Sequence, residues 1–351
     1  MQKAFSLIAM ALACLTTVSA QQLKVKQATI DVGQVVYREP VTVRFELNNA
    51  DNRPVAIDHV ETSCGCSTTD LQPRTVAGNE HFIVSATYDA KQMGHFEKSV
   101  SITTRGRTTP LLLTIKGVVV SEVSEFQGAY NYQLGTLLCD RNTIDFGDIV
   151  QGDNPFVDIH VKNPTEQPLS PVVMHEPSYL HAEASPTTIP PGKTGVVRMM
   201  FASQALTDYG QVQTRVYLGD HPGDKVNNSK AIDISALLLP NVSQLNTQKA
   251  PRLVLSDNKA DFGDFDGKAR RTMTLILENN GDNTLHIHSM EMNGEGVKVS
   301  LPKRMLKPGE HTKMKITAER RQMTHSNTQP QVLLVTNDPH HTKVIINITG
   351  R

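Results

Sequence analysis

The stretch "TIDFGDIVQGDNPFVDIHVKN" (residues 143–163) joins an Asp-x-Gly unit to a run of alternating apolar residues. Val157, Ile159 and Val161 recur at every second position, which is the period of a β-strand with one buried face. We expect the glycine of the unit, Gly147, to lie at a turn, in a backbone conformation that other residues resist. The stretch therefore predicts a turn followed by a half-buried strand.

The same pattern occurs three times along the chain. The Asp-x-Gly unit stands in "TIDVGQV", "TIDFGDIV" and "KADFGDF", and its glycines are spaced 114 and 116 residues apart. Each unit precedes an alternating run that ends on an asparagine, and each asparagine precedes a later glycine in "VAGNE", "PPGKT" or "KPGEH". The landmarks are Gly33, Gly147 and Gly263, then Asn49, Asn163 and Asn279, then Gly78, Gly192 and Gly309. Three landmarks in nearly constant register predict three copies of one structural unit.

Short alternating runs separated by Gly, Pro, Asn and Asp indicate strands and turns, and long helical periodicity is absent after the first 20 residues. About seven short strands in a unit of this length are typical of an immunoglobulin-like sandwich. We predict an all-β chain of three tandem immunoglobulin-like β-sandwich domains, at residues 22–120, 139–240 and 252–351. Residues 121–138 are either a linker or an extra edge strand, and residues 240–251 form a short polar hinge.

The first 20 residues have the pattern of a secretory signal peptide. Lys3 is followed by a short apolar run and by a small-residue cleavage site that ends at Ala20. An alternative is a lipid anchor at Cys14 in "ALAC", although Leu12 is an unusual residue for such a motif. No later segment is apolar enough to span a bilayer. We therefore expect an exported protein of the periplasm or cell surface that is not transmembrane.

Composition argues against several functions. The 35 basic and 35 acidic residues balance, without a basic run, so nucleic-acid binding is not expected. Trp is absent and aromatic residues make up 5%, which disfavours glycan binding through ring platforms. There is no G-x-S-x-G motif, no glycine-rich cofactor loop and no signature that links a cysteine to a catalytic histidine. We predict that the protein is not an enzyme and takes no cofactor.

The motif "ETSCGCSTT" (residues 61–69) leaves three alternatives for Cys64 and Cys66. The first is structural: Cys66 is an apolar core residue, and Cys64 is exposed or paired elsewhere, for example with Cys139. The second is a local disulfide, closed by a bend at Gly65, that acts as a redox couple. The third is a soft-metal site with two thiolate ligands.

The sister copies help to choose between these alternatives. Counting back from the later glycines places Cys66 opposite Leu180 and Val297, although counting forward from the asparagines places Gly296 there in the third copy. The first register predicts that Cys66 is buried and that Cys64 lies at the rim of the sandwich. A second possible metal pair, His286 and His288, shares one face of a predicted strand, and such pairs are more often solvated. We predict no metal site there.

These landmarks resemble the secreted bacterial domain family of unknown function DUF 1573 and the related immunoglobulin-like domains named after ASPM, SPD-2 and Hydin. The matching residues are Ile30-Asp31-Val32-Gly33, Asn49, Cys64-Gly65-Cys66-Ser67 and Gly78 in the first copy, and Asp261-Phe262-Gly263, Pro308-Gly309 and Thr336-Asn337-Asp338 in the third. The second and third copies lack the cysteine motif. The resemblance implies an exported protein and transfers no established activity.

We therefore expect a non-enzymatic array of structural or protein-interaction modules in the bacterial cell envelope. Its partner would be another envelope protein, bound through sheet edges or loops. The alternative is a thiol-based redox or soft-metal-binding protein that acts through Cys64 and Cys66.

Overall fold

The computed structural model describes residues 23–107, 109–123, 126–245, 249–323 and 329–350. The predicted signal peptide, residues 1–20, and Cys14 lie outside the described residues. Within them, no helix is long and apolar enough to cross a membrane. The described residues form three β-sandwiches, which confirms the predicted fold class. They fall into two compact units divided after residue 124, the first with one sandwich and the second with two.

The first sandwich consists of β1 (Leu23–Val25), β2 (Thr29–Val36), β3 (Val41–Asn49), β4 (Val55–Thr62), β5 (Ser67–Thr69), β6 (Thr75–Val76), β7 (His81–Tyr88), β8 (Gly94–Thr104) and β9 (Leu111–Val120). Its sheets have the strand orders β1-β3-β7-β5 and β2-β9-β8-β4-β6. The alternation along β3 places Val43, Phe45 and Leu47 in the core between the two sheets.

The second sandwich consists of β10 (Tyr132–Leu134), β11 (Leu137–Cys139), β12 (Thr143–Val150), β13 (Phe156–Lys162), β14 (Val172–Met174), β15 (Leu180–Ser185), β16 (Thr194–Phe201), β17 (Gly210–Gly219) and β18 (Ala231–Leu239). Short 3-10 turns occur at Ser203–Ala205 and Asn228–Lys230. The sheet orders are β10-β11-β13-β16-β15 and β12-β18-β17-β14. Residues 121–138 were predicted to be either a linker or an extra edge strand. They contain β10, which pairs with β11 at the edge of a sheet.

The third sandwich consists of β19 (Leu253–Leu255), β20 (Lys259–Asp261), β21 (Arg270–Asn279), β22 (Leu285–Asn293), β23 (Val297–Ser300), β24 (Met305–Leu306), β25 (His311–Glu319), the short helix α1 (Arg320–Met323), β26 (Gln331–Thr336) and β27 (Lys343–Thr349). Its sheet orders are β19-β21-β25-β23 and β20-β27-β26-β22-β24. Each of the three sandwiches encloses a hydrophobic core of its own.

The Asp-x-Gly landmark has the same geometry in all three copies. The carboxylate of Asp31, Asp145 or Asp261 accepts a hydrogen bond from the backbone N–H of the glycine two residues later, at 2.7, 3.0 and 3.0 Å. Those glycines have φ angles of 67°, 67° and 58°, as the sequence predicted. In the first two copies the unit is a bulge inside an edge strand and not a turn between strands, since the register with the neighbouring strand shifts there.

The three landmark asparagines are fully buried, and their side chains make equivalent hydrogen bonds. In the second sandwich the amide of Asn163 donates to the carbonyl of Gln167 at 2.7 Å and to that of Ile189 at 2.9 Å. Its carbonyl accepts from the backbone N–H of Thr165 at 2.9 Å. Each asparagine therefore ties the loop that follows its strand to the segment before the next long strand. The sequence identified these positions but not this role.

The third landmark differs in the first copy. Gly192 and Gly309 have positive φ, but in the first sandwich the residue with positive φ is Asn79, at 59°, and not Gly78. A side chain at Gly78 would instead meet the backbone oxygen of Asn52 at 2.1 Å. The structural equivalent of the two glycines is thus one residue further along the first copy. Asparagine tolerates this left-handed conformation better than most residues.

Candidate functional site

Cys64 and Cys66 lie in a tight turn between β4 and β5. The backbone N–H of Ser67 donates to the carbonyl of Cys64 at 3.2 Å, which closes the turn. The two cysteines form a disulfide with their Cα atoms 5.2 Å apart. Because the bridge closes a loop of only three residues, it constrains the unfolded chain little. Its contribution to the stability of the fold is correspondingly small.

The rest of the sandwich holds the turn at both cysteine carbonyls. The hydroxyl of Thr62 donates to the carbonyl of Cys64 at 3.1 Å, and the backbone N–H of Asp89 donates to that of Cys66 at 3.1 Å. Both cysteines are half-buried, and Cys66 packs against the core. Gly65 is exposed and has room for a side chain, with a φ outside the left-handed region. Glycine is therefore not required for this bend.

The prediction that Cys66 takes the buried position was wrong by one residue. In the strand ladders Ser67 lies opposite Tyr88, as Leu180 lies opposite Phe201 in the second sandwich. Ser67 is buried at 5% exposure, whereas Cys66 is half-buried. The error comes from the register, because it was counted from Gly78 and the left-handed residue is Asn79.

Cys139 is a free, fully buried thiol in the core of the second sandwich. The alternative that Cys64 pairs with Cys139 is therefore wrong, since Cys64 is bonded to Cys66. Burial, with a smaller effect from the neighbouring Asp140, raises the pKa of the Cys139 thiol to about 12. A thiol so rarely ionised is unreactive.

His286 and His288 lie on β22 with their rings nearly parallel and 5.9 Å apart. The ring of His288 lies 4.7 Å from that of Tyr209 in the second sandwich. Burial, together with the neighbouring His286, lowers the pKa of His288. In the described parts of the chain, no three His, Cys, Asp or Glu side chains are grouped so that they could hold a metal ion.

A second candidate site, which the sequence did not predict, lies between the second and third sandwiches. The outer faces of their sheets meet strand on strand in what we call the joint. Four apolar residues form its centre, namely Leu237 and Leu239 on β18 and Leu333 and Val335 on β26. On one side, Lys343 at the start of β27 forms an ion pair with Asp148 on β12 at 2.8 Å.

On the other side of the joint, β17 of the second sandwich contacts β22 of the third. The backbone N–H of Gln211 donates to a carboxylate oxygen of Glu291 at 2.8 Å. That same oxygen also accepts from the hydroxyl of Ser289 at 2.8 Å. The joint thus combines an apolar centre with a charged contact on either side, and the two sandwiches form one compact unit.

Beyond the joint the two faces enclose a cleft of about 310 Å³. Its polar lining includes Gln213 and Ser235 on the second sandwich and Asn293 and Gln331 on the third, and its apolar lining includes Leu333 and Ile345. Pockets for ligands commonly form between domains and reach this size.

A sequence signal for the joint did exist. Residues 236–239, "ALLL", on β18 and residues 332–335, "VLLV", on β26 are unbroken apolar runs. In such a run both faces of the strand carry apolar side chains, which indicates that both are covered. The inner face covers the sandwich core, and the outer face is buried in the joint.

Residues 23–119 match a family described as "Protein of unknown function (DUF1573)". Residues 251–351 match an immunoglobulin-like domain described as "HYDIN/CFA65/VesB-like, Ig-like domain". The resemblance predicted from the sequence landmarks is therefore confirmed in these two segments, which hold the first and third sandwiches. No curated protein matches the chain.

Several solved structures have a similar but distant fold. A protein of unknown function from Porphyromonas gingivalis W83 is 18% identical, covering 62% of this chain and 100% of its own, with a TM-score of 0.49. The ASH/PapD-like domain 7 of human CEP192 is 11% identical, covering 35% and 100%, with a TM-score of 0.27. The periplasmic chaperone SfaE is 12% identical, covering 62% and 100%, with a TM-score of 0.27. At these TM-scores none of them bears on function.

Proposed function

We propose that the protein is an exported, non-enzymatic interaction protein of the bacterial cell envelope, in which the sandwiches hold a second protein. The observation that carries the proposal is the joint between the second and third sandwiches. Modules that served only as flexible spacers would need no buried contact between them. A fixed joint holds the surfaces of two modules in one arrangement, which lowers the entropic cost of binding a partner.

Two observations support export. The first 20 residues have the pattern of a cleaved leader. The disulfide between Cys64 and Cys66 is of a kind that persists in oxidising compartments and is rare in the cytosol. We therefore place the mature protein in the periplasm or on the cell surface, with a lipid anchor at Cys14 as the alternative.

Sheet edges offer a way to bind a protein. β12 pairs with β18 on one side, and the described residues place no strand on its other side. β20 pairs with β27 only at residues 347–349 of β27. On the side of β27 that faces β20, residues 343–346 therefore have no neighbouring strand in the described chain. Such edges can accept a strand from a partner.

Photo-cross-linking in the cells that make the protein tests the proposal. A photoreactive amino acid is placed at one exposed position at a time, on the edge strand β5 at Thr68, in the cleft at Gln211, and on the outer face of β7 at Ile83. We expect discrete adducts with one or a few envelope proteins from at least one position. The proposal is wrong if no position gives an adduct, or if fractionation places the protein in the cytosol.

The disulfide supports a second candidate function, thiol-based redox or soft-metal chemistry at Cys64 and Cys66. The bridge lies in a half-buried surface turn and closes only three residues, so its role in stability is small. Equilibration with glutathione buffers measures its reduction potential. A value below about −300 mV would mark a structural bridge, whereas a higher value favours the redox function. Titration of the reduced protein with copper(I) tests the metal alternative.

A further inference from the structure

We propose that the cleft between the second and third sandwiches binds an extended, uncharged segment of polypeptide. This inference rests on the proposed function, because it names the chemistry of the partner that the joint would hold. Four features support it: polar side chains on the two walls of the cleft, an apolar floor, charged groups that already have partners, and sheet edges beside the cleft that are unpaired in the described residues.

The walls carry neutral hydrogen-bonding side chains on both sides. On the second sandwich, Gln213 and Ser235 are cross-strand neighbours on β17 and β18. On the third, Asn293 and Gln331 are cross-strand neighbours on β22 and β26. A carboxamide offers both a donor and an acceptor, whereas the hydroxyl of Ser235 donates to Asp145 and so offers a ligand only an acceptor. The backbone of a polypeptide presents the same two groups at every residue.

The floor of the cleft is apolar. Leu237 and Leu333 of the joint line its inner end, and Ile345 on β27 lines it beside them with 41% of its surface exposed. A ligand that reaches this floor would cover Ile345 with small apolar side chains. Among the described residues, no aromatic ring lines the cleft, which disfavours a sugar chain as the occupant.

The charged groups at the cleft already have partners within the chain. Lys343 Nζ lies 2.8 and 2.9 Å from the two carboxylate oxygens of Asp148. Asp145 accepts from the N–H of Gly147 and from the hydroxyl of Ser235, both at 3.0 Å. A strongly charged ligand would have to displace one of these contacts. An uncharged ligand leaves them intact.

The neighbouring edges favour an extended conformation. β12 contributes Asp145 and Asp148 to the cleft, and β27 contributes Lys343 and Ile345. These two strands lie on the same side of the joint, since Lys343 bridges them. An extended segment running between them can pair its main chain with an edge while its side chains reach the floor.

Selection from random peptides of about twelve residues, displayed on phage, provides the probe. Binders are selected on the full mature protein and counter-selected on the double variant Gln213→Arg/Asn293→Arg. Each of these two substitutions puts a charged, larger side chain into one wall. The matched control is Gln133→Arg, an exposed glutamine in the second sandwich that does not line the cleft. Calorimetric unfolding of each variant shows that it is folded.

The best peptide is then synthesised with a fluorescent label, and its dissociation constant is measured. We expect a peptide without charged side chains, with affinity about tenfold or more weaker for each cleft variant. Affinity for Gln133→Arg should stay within about twofold of the unchanged protein. Raising the salt concentration should have little effect, because no ion pair forms.

Three results would overturn the inference: no peptide enriched over the double variant, peptides that bind both proteins equally, or binders that depend on charged residues. Saturable binding of maltoheptaose that both cleft substitutions weaken and that no peptide reproduces would assign the cleft to a glycan and overturn the inference. In the photo-cross-linking experiment, adducts from other surfaces but none from the cleft position would reject this inference and retain the proposed function. Adducts from no surface would reject both.

Discussion

Lys343 reaches from the third sandwich to Asp148 of the second, with its Nζ within 2.9 Å of both carboxylate oxygens. The side chain of Lys343 is 33% exposed and that of Asp148 46%, so solvent screens the pair and its own contribution is small. Beside it, Val335 is fully buried among the apolar residues of the joint. Burial of these apolar side chains, more than the ion pair, is what stabilises the joint.

The buried asparagines should each stabilise the sandwich that contains them. Asn163→Ala removes two donated bonds and two accepted bonds, the latter from the backbone N–H and the hydroxyl of Thr165, and leaves buried backbone groups without partners. We expect the free energy of unfolding of the second unit to fall by about 2–4 kcal/mol, as measured by chemical denaturation. The control is Asn241→Ala, since Asn241 is exposed and caps only a surface turn. A loss below about 0.5 kcal/mol for Asn163→Ala would contradict this role.

The glycine of the Asp-x-Gly unit should be needed for its backbone conformation. At Gly147 and Gly263 a Cβ atom would meet nothing within 4 Å, but φ is 67° and 58°. Alanine at either position should therefore cost about 1–2 kcal/mol through backbone strain alone. Gly65→Ala is the matched control, because Gly65 has the same open space without the positive φ. Equal effects at all three positions would refute the conformational explanation.

The three described cysteines should react in a fixed order with an alkylating reagent. Without reductant the folded protein should take no label, since Cys64 and Cys66 are bonded and Cys139 is buried. Mild reduction should add two labels, and unfolding should add the label at Cys139, whose pKa is raised to about 12. Mass spectrometry of the digested protein counts and places them. Labelling of Cys139 in the folded, oxidised protein would contradict the structure.

Limited proteolysis tests the predicted domain boundaries. We expect the first cuts within residues 121–131, before β10, or within residues 241–248. The first sandwich should then elute by itself, whereas a chain cut at 241–248 should stay together through the joint. First cuts within residues 41–47 or 157–161, which lie in β3 and β13, would show that the domain map is wrong.

The fold could be predicted from sequence because period-2 alternation and repeated landmarks report the inner face of each sandwich. The register at Cys66 could not be predicted. In the first copy the left-handed residue is Asn79 instead of a glycine, so an alignment counted from Gly78 is wrong by one position. The disulfide was one of three alternatives, since two cysteines separated by one residue can also bind metal or stay apart. The bend between them does not depend on Gly65.

The joint and its cleft were missed for a different reason. Landmarks shared by the three copies describe what the copies have in common, and the joint belongs to only two of them. Its signal lay in the departures from alternation at residues 236–239 and 332–335.

The distance between spin labels on the second and third sandwiches tests the central claim, that the joint fixes these two modules. Labels are attached at His181→Cys and Lys313→Cys, which are exposed and lie on strands of the two sheets that do not form the joint. The protein is produced from residue 21 onward, without Cys14, and its other native cysteines should not react, since two are bonded and Cys139 is buried. We predict one narrow distance distribution, which Val335→Asp should broaden by placing a carboxylate in the apolar centre of the joint. A broad or multiple distribution in the unchanged protein would contradict the account.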